Sequence, residues 1–299
     1  RHKNATKIKE FSKEREMKLG NFLYKGEKNI GALLDDGVCS FKSISDKYSM
    51  SMMEFIEQID DLSPKVSKFI NSNPEVIPLS EIEFLPVIER PGKVLAVGLN
   101  YKDHAKETGM DLPKVPMIFT KQSTSVLGHQ GEIHKPKVSD AVDYEGEMAF
   151  VIGKKCRHVS KEDALDVIAG VTICNDVSVR DWQIASPTFT MGKSFDTHCP
   201  IGPYIVTMDE ISDIHNLKIK TYVNDELRQD SCTDQLIFDC FDLIEHITKA
   251  FTLEPGDIIA TGTSSGVGVV LGKYLVPNDV VRIELENVGT LENKVVLEP

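Results

Sequence analysis

The sequence predicts an α+β protein in which strands dominate. Short apolar segments ending in turn residues (KVLAVGLN, PMIFTK, MAFVIG, AGVTICNDV, IGPYIVT, LKIKTYVN, DIIATGT, VVRIELENVG) outnumber helical stretches after residue 80. No regular alternation of strand and helix appears, which disfavours a doubly wound nucleotide fold. Polar stretches around NSNPEV and ERPGK separate an N-terminal region from the rest. The expected organisation is therefore a tail or expression remnant over 1–16, a small N-terminal domain over 17–80, and a main domain over 81–299.

Each part has its local reasons. KLGNFLYKGEKNIGALLDDGVCSFKSI reads as strands broken at KGEK and DDG. SMSMMEFIEQIDDL and SPKVSKFINSN follow helical spacing, with Ser63 and Pro64 expected as N-cap and first residue of the second helix. In the main domain SKEDALDVIAG reads as a helix capped by Ser160, and DCFDLIEHITKAFTLEPGD as one that stops ahead of Pro255.

Charge and composition narrow the function. A formal charge of −12 over 299 residues leaves no basic surplus for nucleic acid or an anionic membrane. No apolar run approaches the roughly 20 residues needed to cross a bilayer, and no signal-peptide core follows the basic start. Six scattered cysteines without CxxC spacing read as free thiols in a reducing compartment, so a cytoplasmic protein is expected.

The stretch VDYEGEMAFVIG carries the first chemical signal. On a strand Glu145 and Glu147 share a face, their Cα atoms about 6.6 Å apart, where two charges repel by roughly 2–3 kcal/mol at an effective dielectric near 20. Asp176 ends a second apolar run, VTICND. Three carboxylates bordering apolar strands suit a hard divalent cation, Mg²⁺ or Mn²⁺. A bare ExE pair equally fits two solvent-facing edge glutamates.

Other candidates sit in loops and short helical turns. His104 and Glu107 in YKDHAKETG are three apart, so a helix puts them on one face, where an acid fixes an imidazole as a general base. A surface ion pair has the same spacing. Arg180 and Gln183 in VRDWQ offer a planar fork and an amide to a carboxylate. Lys193 and Thr263 lie in loops rich in Gly, and the ATGTSSGVG run lacks the ending of a phosphate loop.

Taken in order, NYKDHAKE, FTKQSTSVLG, DYEGEMAFVIGK, NDVSVRDWQ, GKSFDTHCPIGP, VNDELRQ and LEPGDIIATGTSSGVG resemble the fumarylacetoacetate hydrolase family over roughly residues 90 to 290. The resemblance implies a β-rich roll or sandwich as catalytic domain, a homodimer, and a Mg²⁺ or Mn²⁺ site. It implies Glu145, Glu147 and Asp176 as metal ligands, and His104 with Glu107 as a water-activating dyad on a lid segment. Lys193 falls at the active-site lysine, and Arg180, Gln183 and Thr263 at substrate-contact positions. Ser264 stands where a proline commonly follows the threonine, and Asn224-Asp225 replaces an Asn-Gly turn.

The expected activity is that of a metal-dependent enzyme on a small anionic 2-oxo acid, through a metal-bound enolate. Hydrolysis of a carbon–carbon bond in an acylpyruvate and decarboxylation of oxaloacetate lead. Isomerisation of 2-hydroxyhepta-2,4-diene-1,7-dioate is the alternative. A non-catalytic carboxylate-binding protein is the reading from another class, and a dyad that activates water argues against it.

Overall fold

The computed structural model describes residues 17–299, so the expected tail lies outside the described residues. The fold is α+β and strand-rich, as the sequence predicts. Its backbone is an eleven-stranded sheet that runs Gly37–Ser40, Glu27–Leu34, Lys18–Tyr24, Cys199–Thr207, Ile168–Asn175, Gly146–Ile152, Ile258–Ala260, Val94–Gly98 and Met117–Lys121, with Ile82–Phe84 and Val126–Leu127 pairing off that path. A five-stranded sheet (Glu226–Cys232, Lys218–Val223, Val280–Leu285, Gly289–Leu297, Glu132–Lys135) packs against it, and Val142–Asp143 pairs with Ser178–Val179. The first strand hydrogen-bonds to Cys199–Thr207 at Lys18↔Val206 through Gly20↔Tyr204, so the N-terminal hairpins extend the same sheet. Among the described residues no helix is long and apolar enough to cross a membrane.

The central strands are buried on both faces because each face has its own cover. Met148, Phe150, Ile152, Val171 and Ile173 join a core with Val281, Ile283 and Leu291 of the smaller sheet and Leu243, Ile244 and Ile247 of the helix Cys240–Ala250. Ala149, Val151, Ile201 and Ile205 face a second core built with Phe41, Phe55, Ile56 and Val66 of the N-terminal region. The two-residue alternation of a strand thus feeds two cores at once. Along Gly146–Ile152 all seven residues are buried.

Three local expectations are revised. The second N-terminal helix spans Ile59–Ile70 and carries Pro64 inside it, so Ser63 is a buried helical residue and not its N-cap. An interior proline costs about 3 kcal/mol. Continuing the helix seats Val66 in the second core with Ile59, Leu62 and Ile70 packed beside it, which offsets that cost. The segment after Ser160 is a 3₁₀ helix, Lys161–Val167, and the Ser160 hydroxyl bonds the Asp163 carboxylate instead of capping the backbone. Lys193 closes a one-turn helix, Thr190–Lys193, that the sequence reads as loop.

Gly146, between the two glutamates, lies where the sheets approach closely. A Cβ there would lie 2.1 Å from Thr221 Oγ1, 3.2 Å from Gln229 Oε1 and 3.3 Å from Ile283 Cγ2. The missing side chain therefore admits side chains of the smaller sheet. Gly146→Ala should lower unfolding free energy by about 1–3 kcal/mol through overpacking, measured by urea denaturation of metal-free protein. A variant as stable as the parent would show that the sheets can part at this point.

Candidate active site

The strand ends bring the acids together. Glu145 precedes Gly146–Ile152, Glu147 lies within it, and Asp176 follows Ile168–Asn175, its antiparallel neighbour paired at Gly146↔Asn175. Main-chain bonds lock the junction: Asp176 N–H donates to Glu145 O at 2.9 Å, and Glu145 N–H to Asn175 Oδ1 at 3.0 Å. One ligand oxygen from each of Glu145, Glu147 and Asp176 lies within 4.8 Å of the others, and all three residues are buried. The reading of solvent-facing edge glutamates is thereby excluded for this pair.

Cations surround two of the three acids. Lys193 Nζ donates to Glu145 Oε2 and to Asp176 Oδ2, each at 2.8 Å, and Arg180 Nη1 meets Glu145 Oε1 at 2.7 Å. Lys121, at the end of the Met117–Lys121 strand, donates to Asp176 Oδ1 at 2.6 Å and to Val177 O at 3.2 Å, and also to Lys193 O. Glu147 differs: among the described residues its carboxylate accepts one hydrogen bond, from Gly262 N–H at 2.8 Å, and forms no ion pair.

Acidity follows this pattern. Burial pushes the Glu145 carboxyl up, but Lys193 and Arg180 outweigh burial and hold it below the usual carboxylate range. For Glu147, burial and then the charges of Asp176 and Glu145 all act upward, so its carboxyl is held well above that range. Burial would discharge Lys193, yet Asp176 and Glu145 overcome it and keep the ammonium charged.

The remaining expected residues converge on the same place. Arg180 Nε donates to Asp143 Oδ2 at 2.8 Å and Nη1 to Gln183 Oε1 at 2.8 Å, which fixes the guanidinium plane. Gly192 lets the Lys193 turn press on the Arg180 helix, since a Cβ there would lie 2.2 Å from Gln183 N. Thr263 Oγ1 donates to Gly146 O at 3.0 Å and accepts from Gln229 Nε2 at 2.8 Å. Its hydroxyl proton is therefore spent on the backbone, leaving the residue's main chain and a lone pair for any ligand.

His104 and Glu107 sit on the helix Lys102–Thr108, which ends at Gly109 in the left-handed conformation. His104 Nδ1 lies 3.3 Å from Glu107 Oε2, and Glu107 in turn accepts from Gly266 N–H at 3.0 and 3.2 Å. His104, Glu145, Arg180, Gln183, Lys193 and Thr263 share the lining of one cavity of about 150 Å³, whose other walls are mostly apolar, including Met110, Met117, Phe119 and Phe189. Larger hollows of about 540 and 740 Å³ lie elsewhere on the surface, and neither touches the acid triad. Chemistry therefore assigns the site to the small cavity.

Two residues of this site escape reading from the sequence. Lys121 lies in FTKQST as the polar end of an apolar strand, an ordinary place for a solvated lysine, but it is buried. Asp143 is a further acid in DYEGE at the same two-residue spacing, a signal present in the sequence. It is fully buried and accepts from Gly268 N–H, Val269 N–H and Arg180 Nε, tying the Arg180 side chain to the glycine-rich loop. All six cysteines are free thiols.

Known proteins resemble this chain in sequence and fold. Residues 93–296 match the family model described as fumarylacetoacetate (FAA) hydrolase C-terminal. A rat protein named oxaloacetate tautomerase Fahd2a, mitochondrial, is 41% identical over 263 residues, 87% of this chain and 84% of its own. The human protein named oxaloacetate tautomerase FAHD2A, mitochondrial, is 41% identical over 264 residues, again 87% and 84% of the two chains. Among solved structures, maleylpyruvate hydrolase from Sphingobium sp. SYK-6, in complex with manganese(II) and pyruvate, superposes with a TM-score of 0.81 at 29% identity, covering 95% of this chain and 100% of that one. The 2-hydroxyhepta-2,4-diene-1,7-dioate isomerase from Mycobacterium marinum superposes with a TM-score of 0.73 at 31% identity, covering 94% and 99%. The chain belongs to the fumarylacetoacetate hydrolase family.

Proposed function

We propose that the protein is a divalent-metal-dependent enzyme that moves a proton at the carbon beside a 2-oxo group, interconverting the enol and keto forms of oxaloacetate. The observation that carries this reading is the buried acid triad with a charged Lys193 and a fixed Arg180, where Glu145, Lys193 and Arg180 line a cavity of about 150 Å³ together with His104. At about 30 Å³ per water that cavity holds roughly five waters, which suits a small acid. The relatives named oxaloacetate tautomerases support placing proton transfer ahead of the hydrolysis and decarboxylation that the sequence puts first. Their mitochondrial names and the free thiols support a reducing compartment, mitochondrion or cytoplasm.

The residues present fit a hard dication. Three carboxylates offer an all-oxygen set, and Glu147 is a buried acid that lacks a cationic partner among the described residues. Glu145, Glu147 and Asp176 would hold the ion, Mg²⁺ or Mn²⁺. When bound, it supplies Lewis acidity to a carboxylate and its neighbouring oxo group and lowers the cost of enolate charge.

The chain's own groups do the rest. Arg180, held by Asp143 and Gln183, orients a carboxylate with its planar fork. Lys193 faces negative charge developing on the C2 oxygen and can protonate it. With Nδ1–H donated to Glu107, His104 exposes Nε2 as the base that takes a proton from C3 in the keto-to-enol direction and returns it in the other. Solvent resets both groups between turnovers. The apolar wall of Met110, Met117, Phe119 and Phe189 limits water around the exchange.

A second reading, hydrolysis of an acylpyruvate with His104 taking its proton from water, is favoured by the likeness to maleylpyruvate hydrolase. The two separate in one assay. Incubated with enol-oxaloacetate and Mg²⁺, the enzyme should speed loss of the enol absorbance without forming pyruvate, and excess chelator should abolish the effect. Pyruvate released from oxaloacetate or from acetylpyruvate would instead assign carbon–carbon cleavage, and activity undiminished in chelator would refute the metal. His104→Ala should lower kcat by about 10²–10⁴-fold while Mg²⁺ affinity stays within twofold; an unchanged kcat would make His104 a bystander.

Glu147 gives a pH test whose sign is fixed. Its folded-state acidity is weakened, so the metal-free fold binds a proton there that the unfolded chain releases. That contribution to stability is complete below the ordinary glutamate range and is lost as pH rises through the raised value. Binding of Mg²⁺ must expel the proton. Calorimetry in two buffers of different ionisation enthalpy should therefore show proton release that Glu147→Gln removes, with wild-type affinity weakening as pH falls. Binding without proton release below that raised value would contradict the assignment.

A further inference from the structure

His104 is flanked by an acid that takes no part in its dyad. Asp103 Oδ2 accepts from Ser231 Oγ at 2.7 Å, and Oδ1 accepts from the His104 N–H at 2.6 Å and, more weakly, from Ser265 N–H at 3.4 Å. Four residues on, Glu107 accepts from Gly266 N–H. Residues at this spacing lie on one face of a helix. Two carboxylates thus tie one face of the Lys102–Thr108 helix to the Glu226–Cys232 strand and the loop after Thr263.

The helix depends on such ties. It has seven residues, and its N-cap, Tyr101, gives no side-chain cap. Helices this short do not hold themselves in water. Ahead of it the chain is fixed: Asn100 Nδ2 donates to Phe238 O at 3.0 Å and Thr261 O at 2.8 Å, and Asn100 Oδ1 accepts from Phe238 N–H at 2.9 Å. Beyond Gly109 the side chains of Met110, Leu112 and Val115 are all more than half exposed. With firm anchors ahead of it and exposed side chains beyond it, so short a helix has its rotation set by what its face bonds to, and a turn would swing the imidazole of His104 relative to the triad.

We infer that Asp103 and Ser231 form a positioning pair that sets the rotation of this helix and so the place of His104 in the cavity. The smaller sheet, which holds none of the acid triad, thereby gauges the distance between the base and the acids. Glu107 shares the load through Gly266 but is also the partner of His104, whereas Asp103 only positions. The kinetic part of this inference rests on the function proposed above; the structural part does not.

The test compares Ser231→Ala with Ser231→Thr in the full-length protein. In Ser231→Ala, hydrogen exchange over residues 102–109 should quicken about tenfold or more while the sheet strands exchange as in the parent. The kcat for enol-oxaloacetate should fall about tenfold with KM, Mg²⁺ affinity and melting temperature unchanged. Ser231→Thr, which restores a hydroxyl, should recover most of both. Parental exchange over 102–109 in Ser231→Ala would overturn the pair, as would a kcat loss that merely follows a lower melting temperature. If the parent does not act on oxaloacetate, the proposed function fails while the exchange result still decides the pairing.

Discussion

The structure turns on holding three carboxylates side by side out of water. Moving one ionised carboxylate into a protein interior costs several kcal/mol even after relaxation, and neighbouring like charges add to it. Here four buried acids, Asp143 among them, face three cations, Arg180, Lys193 and Lys121. The acid left without an ion pair is Glu147, and in the metal-free fold it is the one that keeps its proton. A hard dication held by the all-oxygen set of Glu145, Glu147 and Asp176 would take the place of that proton.

The fold makes that arrangement rigid by spending backbone bonds on it. Adjacent antiparallel strands deliver Glu147 and Asp176 from opposite directions, and the Asp176–Glu145 and Glu145–Asn175 bonds stop either end from fraying. Gly146 is then held on both sides of its own residue. Its N–H donates to Gln229 Oε1 at 3.0 Å and its carbonyl accepts from Thr263, while Gln229 Nε2 donates to Thr263, closing a ring between the two sheets. Positioning the acids and packing the sheets are one structural act.

The sequence shows the strands plainly because most of the apolar runs end in turn residues, and the Asn224-Asp225 turn carries the positive φ at both positions that a tight hairpin needs. The acids were legible as well: ExE and the acid ending VTICND both border apolar runs. What stays hidden is what depends on distant partners. Lys121 meets Asp176 across 55 positions, and Asp143 meets Gly268 across 125, so no local pattern marks either as buried. Pro64 misleads for a related reason: as a helix signal it is local, and the burial of Val66 that overrides it is tertiary. The same limit applies to Thr263, whose hydroxyl is taken by Gly146.

The central claim, that the buried triad around the unpaired Glu147 is a single dication site, is tested most directly by Mn²⁺ titration followed by electron paramagnetic resonance. The account predicts one tight site per chain, displaced by Mg²⁺, and lost in a Glu145→Gln, Glu147→Gln, Asp176→Asn triple variant that remains folded. Tight Mn²⁺ binding that survives in that variant, or none in the parent, would contradict it.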